Sequence, residues 1–203
     1  MNVNFRLLVP LIVLVLALIL LGLLLFAYPR EEGAKTGDNV LIGGPFSLVD
    51  TKGNAVNDAA FRVKIMLVYF GFTYCPDICP TELQVISSAL DLLGPKAKDV
   101  APLFITVDPE RDKSAVMADY LSHFHPAIIG LTGSPSAIAE AASQYKVYYR
   151  KIEDEEAAAP YTVDHLSVVF LMDGQGKYLS HFTQNTKPKE MADTIKTALA
   201  HSK

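Results

Sequence analysis

The sequence contains only two cysteines, Cys75 and Cys79, and they lie four positions apart. A disulfide between them closes a very short loop, so it cannot tie distant parts of the chain together. The stability of the fold must therefore come from a hydrophobic core. A chain of 203 residues, 50% of them hydrophobic, is long enough to bury one such core but is a tight fit for two folded domains.

An excess of positive charge is also missing. The chain has 18 Lys and Arg residues against 22 Asp and Glu residues, and its net charge is -4. It has no stripe of Lys and Arg with interleaved aromatic residues. Because such a chain has no general attraction to phosphate backbones, we predict that nucleic acid is not a partner.

Charged residues are absent from residues 7–28, which are dominated by Leu, Ile and Val. A membrane-spanning helix needs about 20 apolar residues, whereas the apolar part of a signal peptide has about 7 to 15 and precedes a small-residue cleavage site. The sequence Pro-Arg-Glu-Glu over residues 29–32 does not resemble such a site. We therefore predict a retained single-pass membrane anchor over residues 1–30, with cleavage of this segment as the alternative.

The few residues before the apolar segment bear on the type of membrane. Only five residues precede Arg6, which leaves no room for an Arg- and Ser-rich mitochondrial transit peptide. The positive-inside rule does not fix the orientation, because Arg6 on one side is balanced by Arg30 and Lys35 on the other. We expect a bacterial inner-membrane protein. We also expect its soluble domain to face the periplasm, an orientation that these charges alone do not decide.

The remainder of the sequence predicts a linker and one folded domain. Residues 31–44 are polar and rich in glycine, which is typical of a linker, and residues 45–203 form the predicted domain. Strand and helix patterns alternate early in the domain, and a hairpin and a last helix follow. The predicted strands are residues 46–49, the segment around Val56, 65–70, 103–107, 128–131, 147–151, 166–172 and 178–182, and the predicted helices are 81–93, 114–123, 135–145 and 188–201. This order predicts an α/β fold, a thioredoxin-like (peroxiredoxin-like) sandwich.

Cys75 and Cys79 lie between the predicted central strand and the helix that follows it. Ligand sites form at the carboxyl ends of strands in open α/β sheets, and a helix N-terminus favours a nearby thiolate. Residues four apart on a helical turn hold their Cβ atoms about 5 to 6 Å apart, whereas a relaxed disulfide prefers about 3.5 to 4.5 Å. A metal ion with two bonds to sulfur of about 2.3 Å makes no such demand. We predict a metal-binding pair, with a local disulfide or two buried thiols as the alternatives.

His165 is the predicted third ligand. It begins a predicted strand after an acidic and Ala-rich stretch, residues 153–160, which we expect to be a loop. In a thioredoxin-like layout, the start of that strand lies opposite the cysteine turn. Thiolates favour Cu(I), which accepts the low coordination number that two sulfurs and one imidazole provide. The alternative for His165, taken alone, is a histidine of the core or the surface.

Other polar residues have a weaker claim to function. Asp77 and Asp164 are candidate hydrogen-bond partners of the metal ligands, although an acid in the first turn of a helix is also an ordinary cap. His123 and His125 end a predicted helix, and we interpret them as caps rather than ligands. For the acidic and basic run over residues 108–112, we favour a turn with an Asp–Arg ion pair over a catalytic site.

Three motifs, in this order, resemble the Sco/SenC family of copper chaperones. They are Gly-Phe-Thr-Tyr-Cys-Pro-Asp-Ile-Cys-Pro at residues 71–80, Val-Asp-Pro-Glu-Arg-Asp at 107–112, and Val-Asp-His at 163–165 followed by a strand and Asp-Gly at 173–174. The resemblance extends from about Pro45 to the C-terminus. It implies a thioredoxin-like fold and binding of Cu(I) and Cu(II) by the two cysteines and the histidine. It also implies a role in building the dinuclear copper centre of cytochrome c oxidase subunit II.

Two hypotheses of different classes follow. In the first, the chain is a metallochaperone rather than an enzyme, and its partners are cytochrome c oxidase subunit II, a copper donor, a thiol reductant and the membrane. In the second, it is a thiol–disulfide oxidoreductase in which Cys75 attacks, Cys79 resolves, and the two cycle through a redox-active disulfide. Three residues between the cysteines, rather than two, count against the second. A redox or copper sensor is a third possibility.

Overall fold

The computed structural model describes residues 18–21, 41–153 and 160–201. The chain divides into two compact units, Met1–Val40 and Leu41–Lys203. In the first unit, the described residues 18–21 are helical. No helix in these described ranges is long and apolar enough to cross a membrane. Apart from residues 18–21, the predicted anchor lies outside the described residues, as does most of the predicted linker, so both stay predictions.

The second unit alternates strands and helices. Its strands are β1 Ser47–Asp50, β2 Ala55–Asn57, β3 Ile65–Gly71, β4 Val100–Thr106, β5 Ile129–Thr132, β6 Tyr149–Glu153, β7 Tyr161–His165, β8 Val169–Met172 and β9 Tyr178–Phe182, and its helices are α1 Ile78–Leu93, α2 Ser114–Leu121, α3 Pro135–Gln144 and α4 Pro188–His201. Short 3₁₀ turns cover Asp58–Ala60 and Gly94–Asp99. The predicted alternation of elements is therefore confirmed.

Seven strands form one mixed sheet in the order β2-β1-β5-β4-β3-β8-β9. The central strands β3, β4 and β5 run parallel, and β1 and β8 pair with them in the antiparallel direction. Every residue of β3 and β4 is buried, as expected for strands that are covered on both faces. This buried centre of the sheet carries the candidate site at the carboxyl end of β3.

Helix α1 packs its apolar residues into this core, and α4 packs beside it. The predicted apolar stripe of Leu83, Ile86, Leu90 and Leu93 is buried along its whole length. The helix begins at Ile78, three residues before the predicted start. Pro80 is tolerated within the first turn because the amide that it lacks has no intrahelical partner there.

Strands β6 and β7 form a separate two-stranded antiparallel sheet, which we call the histidine arm. The predicted strand over residues 166–172 is therefore wrong in its first part: His165 ends β7, and the core strand β8 begins at Val169. The chain leaves the arm at Leu166, whose N–H donates to the Tyr148 carbonyl at 3.0 Å. Residues 154–159 of the predicted loop lie outside the described residues.

Candidate metal centre

The cysteine loop, residues 72–77, connects β3 to α1. Cys79 lies in the first turn of α1 and is fully buried, whereas Cys75 precedes the helix and is half-buried. Both cysteines are free thiols. The predicted placement of the pair at the carboxyl end of a central strand is confirmed.

The geometry of the pair differs from the predicted helical turn. Because Cys75 lies outside α1, the Cβ spacing of residues four apart on a helix does not apply to it. The Cys79 N–H instead donates to the Cys75 sulfur at 3.4 Å. One of the free amides at the helix N-terminus is thus used to stabilise negative charge on Cys75.

Gly71, the last residue of β3, lets α1 approach the sheet closely. A Cβ atom at this position would lie 2.7 Å from the Phe104 ring and 2.9 Å from the Cys79 sulfur. Real Cβ atoms do not come so close to other atoms, so any other residue would displace the Cys79 side chain or the ring. Gly71 is therefore needed for the Cys79 thiol to occupy its buried position.

Asp112 fixes the position of the cysteine loop. Its buried carboxylate accepts hydrogen bonds from the Thr73 N–H at 2.9 Å and from the Thr73 hydroxyl at 2.6 Å. It also accepts one from the Thr106 hydroxyl at 2.6 Å, at the end of β4. Burial raises the pKa of Asp112, against the opposing effect of these hydrogen bonds. The cysteine loop is thereby tied to the loop that follows the neighbouring strand.

His165 reaches the thiols from the end of β7. Its Nε2 atom lies 3.5 Å from the Cys79 sulfur, and its Nδ1 atom lies 3.2 Å from the Leu166 carbonyl oxygen. A carbonyl only accepts hydrogen bonds, so Nδ1 donates its hydrogen to Leu166, and Nε2 is the nitrogen that faces the thiols. The Phe72 ring and the imidazole pack in a T-shaped arrangement, with 5.8 Å between the ring centroids.

The structure brings the three predicted ligands together. The two sulfur atoms and an imidazole nitrogen all lie within 4.8 Å of one another. Bonds of about 2.3 Å to each sulfur and about 2.0 Å to a nitrogen place such donors roughly 4 Å apart, so small side-chain movements suffice for all three to share one ion. A donor set of two thiolates and one imidazole suits a soft ion such as Cu(I).

The pKa values of the two thiols are shifted in opposite directions. A hydrogen bond from the Cys79 thiol lowers the pKa of Cys75 to about 4; His165 and the N–H groups of Cys79 and Asp77 act in the same direction, and burial opposes them. The hydrogen bond to Cys75 and burial raise the pKa of Cys79 far above its ordinary value. The metal-free pair is therefore a Cys75 thiolate that accepts a hydrogen bond from a protonated Cys79 thiol.

Sequence reasoning missed Tyr69, which also belongs to the site. This residue of β3 is completely buried, and its hydroxyl lies 3.3 Å from the Ser167 hydroxyl. The Tyr69 hydroxyl also lowers the pKa of Cys79, against the larger effects of Cys75 and burial. Its position within an apolar strand gives it the pattern of a core residue. A single polar atom in a strand buried on both faces was the only available signal, because such an atom needs a partner.

The candidate supporting carboxylates lie at the edge of the site. Asp77 is exposed at the N-cap of α1 and makes no capping bond through its side chain. Asp164 is exposed and is the neighbour of His165 on β7, so its side chain points to the opposite face of the strand. The observed partner of His165 Nδ1 is the Leu166 carbonyl. The roles of Asp77 and Asp164 stay predictions.

The remaining polar residues adopt local structural roles. Nδ1 of His123 bonds to the Tyr120 carbonyl at the end of α2, and Nδ1 of His125 accepts the Ala127 N–H at 3.1 Å. Asp108 and Arg111 form the predicted ion pair. These contacts agree with the interpretation of both motifs as turns and caps.

Comparison with known proteins gives one consistent result. A protein-family model described as SCO1/SenC matches residues 34–200. The SCO2-like protein of Rickettsia conorii is 42% identical over 159 residues, which cover 78% of each chain. The copper-bound ScoI of Bradyrhizobium japonicum is 43% identical, with a TM-score of 0.72 over 77% of this chain and 99% of that one.

A more distant structure shares the fold. BsSco, described as a member of the Sco family of cytochrome c oxidase assembly proteins with a disulfide switch, is 24% identical, with a TM-score of 0.61. The matched region covers 80% of this chain and 94% of the BsSco chain. At this identity the likeness concerns the fold alone. Together with the closer match, it confirms the predicted thioredoxin-like α/β fold.

Proposed function

Because the chain belongs to the SCO1/SenC family, we propose that it is a copper chaperone that carries one copper ion on Cys75, Cys79 and His165. The observation that carries this proposal is the meeting of two sulfurs and one imidazole nitrogen within 4.8 Å. A relative of 43% identity is described as copper-bound, which supports the choice of metal. The acceptor in this proposal is subunit II of cytochrome c oxidase, whose dinuclear copper centre the chaperone helps to build.

Each ligand has a distinct part in this function. Cys75 offers a ready thiolate, His165 offers its Nε2 atom, and Cys79 gives up its proton when copper binds. Cys79 is buried, whereas Cys75 and His165 are partly exposed. An acceptor's thiols therefore approach the ion from the Cys75 and His165 side, and copper passes to them by ligand exchange.

The proposal includes a location. Residues 1–30 anchor the chain in the bacterial inner membrane, residues 31–44 form the linker, and residues 45–203 face the periplasm. The uncharged segment 7–28 supports the anchor. In that compartment a copper donor loads the site, and a thiol reductant keeps Cys75 and Cys79 reduced.

An anaerobic Cu(I) titration of the reduced full chain against a competing chelator tests the ligand set. We expect one tightly bound equivalent in the wild type. His165→Ala should weaken binding by about 100-fold or more, since even the hydrogen-bond partners of metal ligands cost about 10- to 100-fold. The matched control is His125→Ala, which removes a histidine outside the site and should leave the affinity unchanged. Equal affinities in wild type and His165→Ala would remove His165 from the ligand set.

A second candidate function is supported by the split proton affinities of the thiols. A Cys75 thiolate beside a protonated Cys79 is suited to thiol–disulfide exchange. Cys75 would attack an acceptor disulfide, Cys79 would resolve the mixed disulfide, and the acceptor would leave as a dithiol. Such an oxidoreductase keeps its turnover in His165→Ala, so an insulin or acceptor-peptide reduction assay on that variant separates the two functions. A sensor role would use the same two states of the pair.

A further inference from the structure

The two halves of the candidate centre are carried by different sheets. The cysteine loop extends from β3 of the seven-stranded sheet, whereas His165 ends β7 of the histidine arm. Strands β6 and β7 pair with each other in a sheet of their own. The distance between imidazole and thiols therefore depends on contacts between the arm and the rest of the domain. The loop after β4, residues 108–112, supplies such contacts, and we call it the bridging loop.

On one side, the bridging loop holds both strands of the arm. Arg111 donates from Nη1 to the Tyr161 carbonyl at 3.0 Å, and its guanidinium carbon lies 3.9 Å from the centre of the Tyr161 ring. The Tyr161 hydroxyl donates to the Asp108 carboxylate at 2.8 Å. On β6, Lys151 forms an ion pair with Glu110 at 2.5 Å. Tyr161 begins the strand that His165 ends.

On the other side, the same loop holds the cysteine loop. The guanidinium carbon of Arg111 lies 4.9 Å from the centre of the Tyr74 ring and 5.9 Å from that of the Phe72 ring. These are cation–π distances. Arg111 thus stands between an aromatic residue of the cysteine loop and an aromatic residue of the arm.

Arg111 is itself held in place. Its Nε donates to Asp108, whose side chain is completely buried, while only 22% of the Arg111 side chain is exposed. The guanidinium is planar, so it can stack on rings while its N–H groups bond at the edge. Lysine has a compact ammonium group and cannot make both kinds of contact at once.

We propose that Arg111 is a positioning residue that holds the histidine arm against the cysteine loop, so that His165 and the two thiols meet at one copper ion. This inference rests on the proposed function, because its effect is measured as copper affinity. Arg111 touches none of the three donor atoms; it acts through the rings of Tyr74 and Tyr161 and through the Tyr161 carbonyl.

A double-mutant cycle with His165 tests the inference in the full chain. Arg111→Met alone leaves the buried Asp108 carboxylate without its cationic partner, so the double variant Asp108→Asn/Arg111→Met is used to avoid an uncompensated buried charge. We expect this variant to lose about tenfold in Cu(I) affinity, the lower end of the cost of losing support for a metal ligand. In a His165→Ala background, the same two substitutions should cause no further loss.

Two other variants separate positioning from stability. Arg111→Lys keeps a cation beside Asp108, so it should recover the free energy of unfolding while its Cu(I) affinity stays low. Arg62 forms a similar pair with Asp58 in the segment between β2 and β3. The matched control Asp58→Asn/Arg62→Met should therefore leave Cu(I) affinity unchanged.

A metal-free measurement completes the test. Amide hydrogen exchange of the reduced, copper-free chain should become faster over residues 161–165 in Asp108→Asn/Arg111→Met and stay slow over residues 65–71. Unchanged exchange in the arm would overturn the inference, as would an equal loss of affinity in the wild-type and His165→Ala backgrounds. If His165→Ala alone has no effect on Cu(I) affinity, the proposed ligand set fails instead, and the exchange data still decide whether Arg111 holds the arm.

Discussion

At the scale of single residues, the site depends on an unequal pair of thiols. Cys79 is buried beside the Tyr69 hydroxyl and keeps its proton, whereas Cys75 accepts hydrogen bonds from the Cys79 thiol and from backbone N–H groups. One sulfur is thus charged before any ion arrives. The second becomes charged only when copper displaces its proton, so copper binding and proton release are coupled.

This inequality predicts an unusual pH profile for alkylation of the metal-free, reduced chain. Iodoacetamide reacts with thiolates, and the pKa of Cys75 is lowered to about 4. Because a lowered pKa keeps the thiolate at every pH above that value, Cys75 should react at a constant rate from pH 8 down to about pH 5 and slow down only near pH 4. Peptide mass spectrometry after timed quenching measures the rate at Cys75.

The control for this experiment is Cys79→Ala. It removes the thiol that donates to Cys75, so the midpoint of the rate profile should move to higher pH. A wild-type midpoint near pH 8.5, the ordinary thiol value, would contradict the hydrogen-bonded arrangement of the pair.

At the scale of secondary-structure elements, the site is the meeting of a strand end, a helix start and an arm. The end of β3 and the first turn of α1 come so close at Gly71 that its missing side chain is a requirement. The arm then brings His165 to the same place from a different sheet. The position of each donor atom therefore depends on how β3, α1 and the histidine arm pack together, and not only on the residues next to it in the sequence.

Gly71→Ala tests the close approach of β3 and α1. The added methyl group would meet the Phe104 ring and the Cys79 sulfur at less than 3 Å, and overpacking of this kind costs about 1 to 3 kcal/mol in the free energy of unfolding. We expect weaker Cu(I) binding as well, because Cys79 is displaced. Urea denaturation and the chelator titration measure the two effects.

The matched control is Gly174→Ala in the turn before β9. A Cβ atom there has its nearest neighbour at 3.4 Å, an ordinary contact. This variant should change the free energy of unfolding by less than about 0.5 kcal/mol. Equal stabilities of the two variants would mean that Gly71 is not needed for packing.

The elements differ in how well their sequence predicts them. The apolar run of β3 and the apolar stripe of α1 are strong local signals, and both were predicted correctly. Strand β7 was missed because Val163 is its one buried residue, which leaves it without an apolar pattern. Its largely exposed partner β6 was predicted in part, as residues 147–151. The prolines at positions 76 and 80 obscured the start of α1.

The site, like the elements, could be predicted from the sequence only where a local pattern marks it. The two cysteines are visible from spacing and from their place after a central strand, and His165 was found through the predicted fold and the family resemblance. The stacking of Arg111 between Tyr74 and Tyr161 joins three segments that are distant in sequence. No local sequence pattern indicates such an arrangement. The sequence of the bridging loop therefore predicted only a turn with an ion pair.

At the scale of the folded domain, a seven-stranded sheet with a buried centre supports a site that opens to the surface on one side. Cys79 is inaccessible within the core, while Cys75 and His165 are partly exposed. The proposed chaperone function needs this asymmetry, because the ion must be bound by a buried ligand and still be accessible to an acceptor on the exposed side. The partly exposed Cys75 thiol also allows the proposed location of the domain to be tested by labelling.

The last prediction concerns that location. If the domain faces the periplasm, a membrane-impermeant maleimide should label Cys75 in intact cells whose outer membrane has been permeabilised, since Cys75 is the partly exposed thiol of the two. Cys75→Ser should abolish labelling because only the buried Cys79 remains, and this variant is the control for non-specific reaction. The intact mass of the labelled chain, near 22.2 kDa before the label is added, reports whether residues 1–30 are retained. Labelling only after the inner membrane is broken would place the domain in the cytoplasm, where thiols are kept reduced without a dedicated partner, and would refute the proposed location.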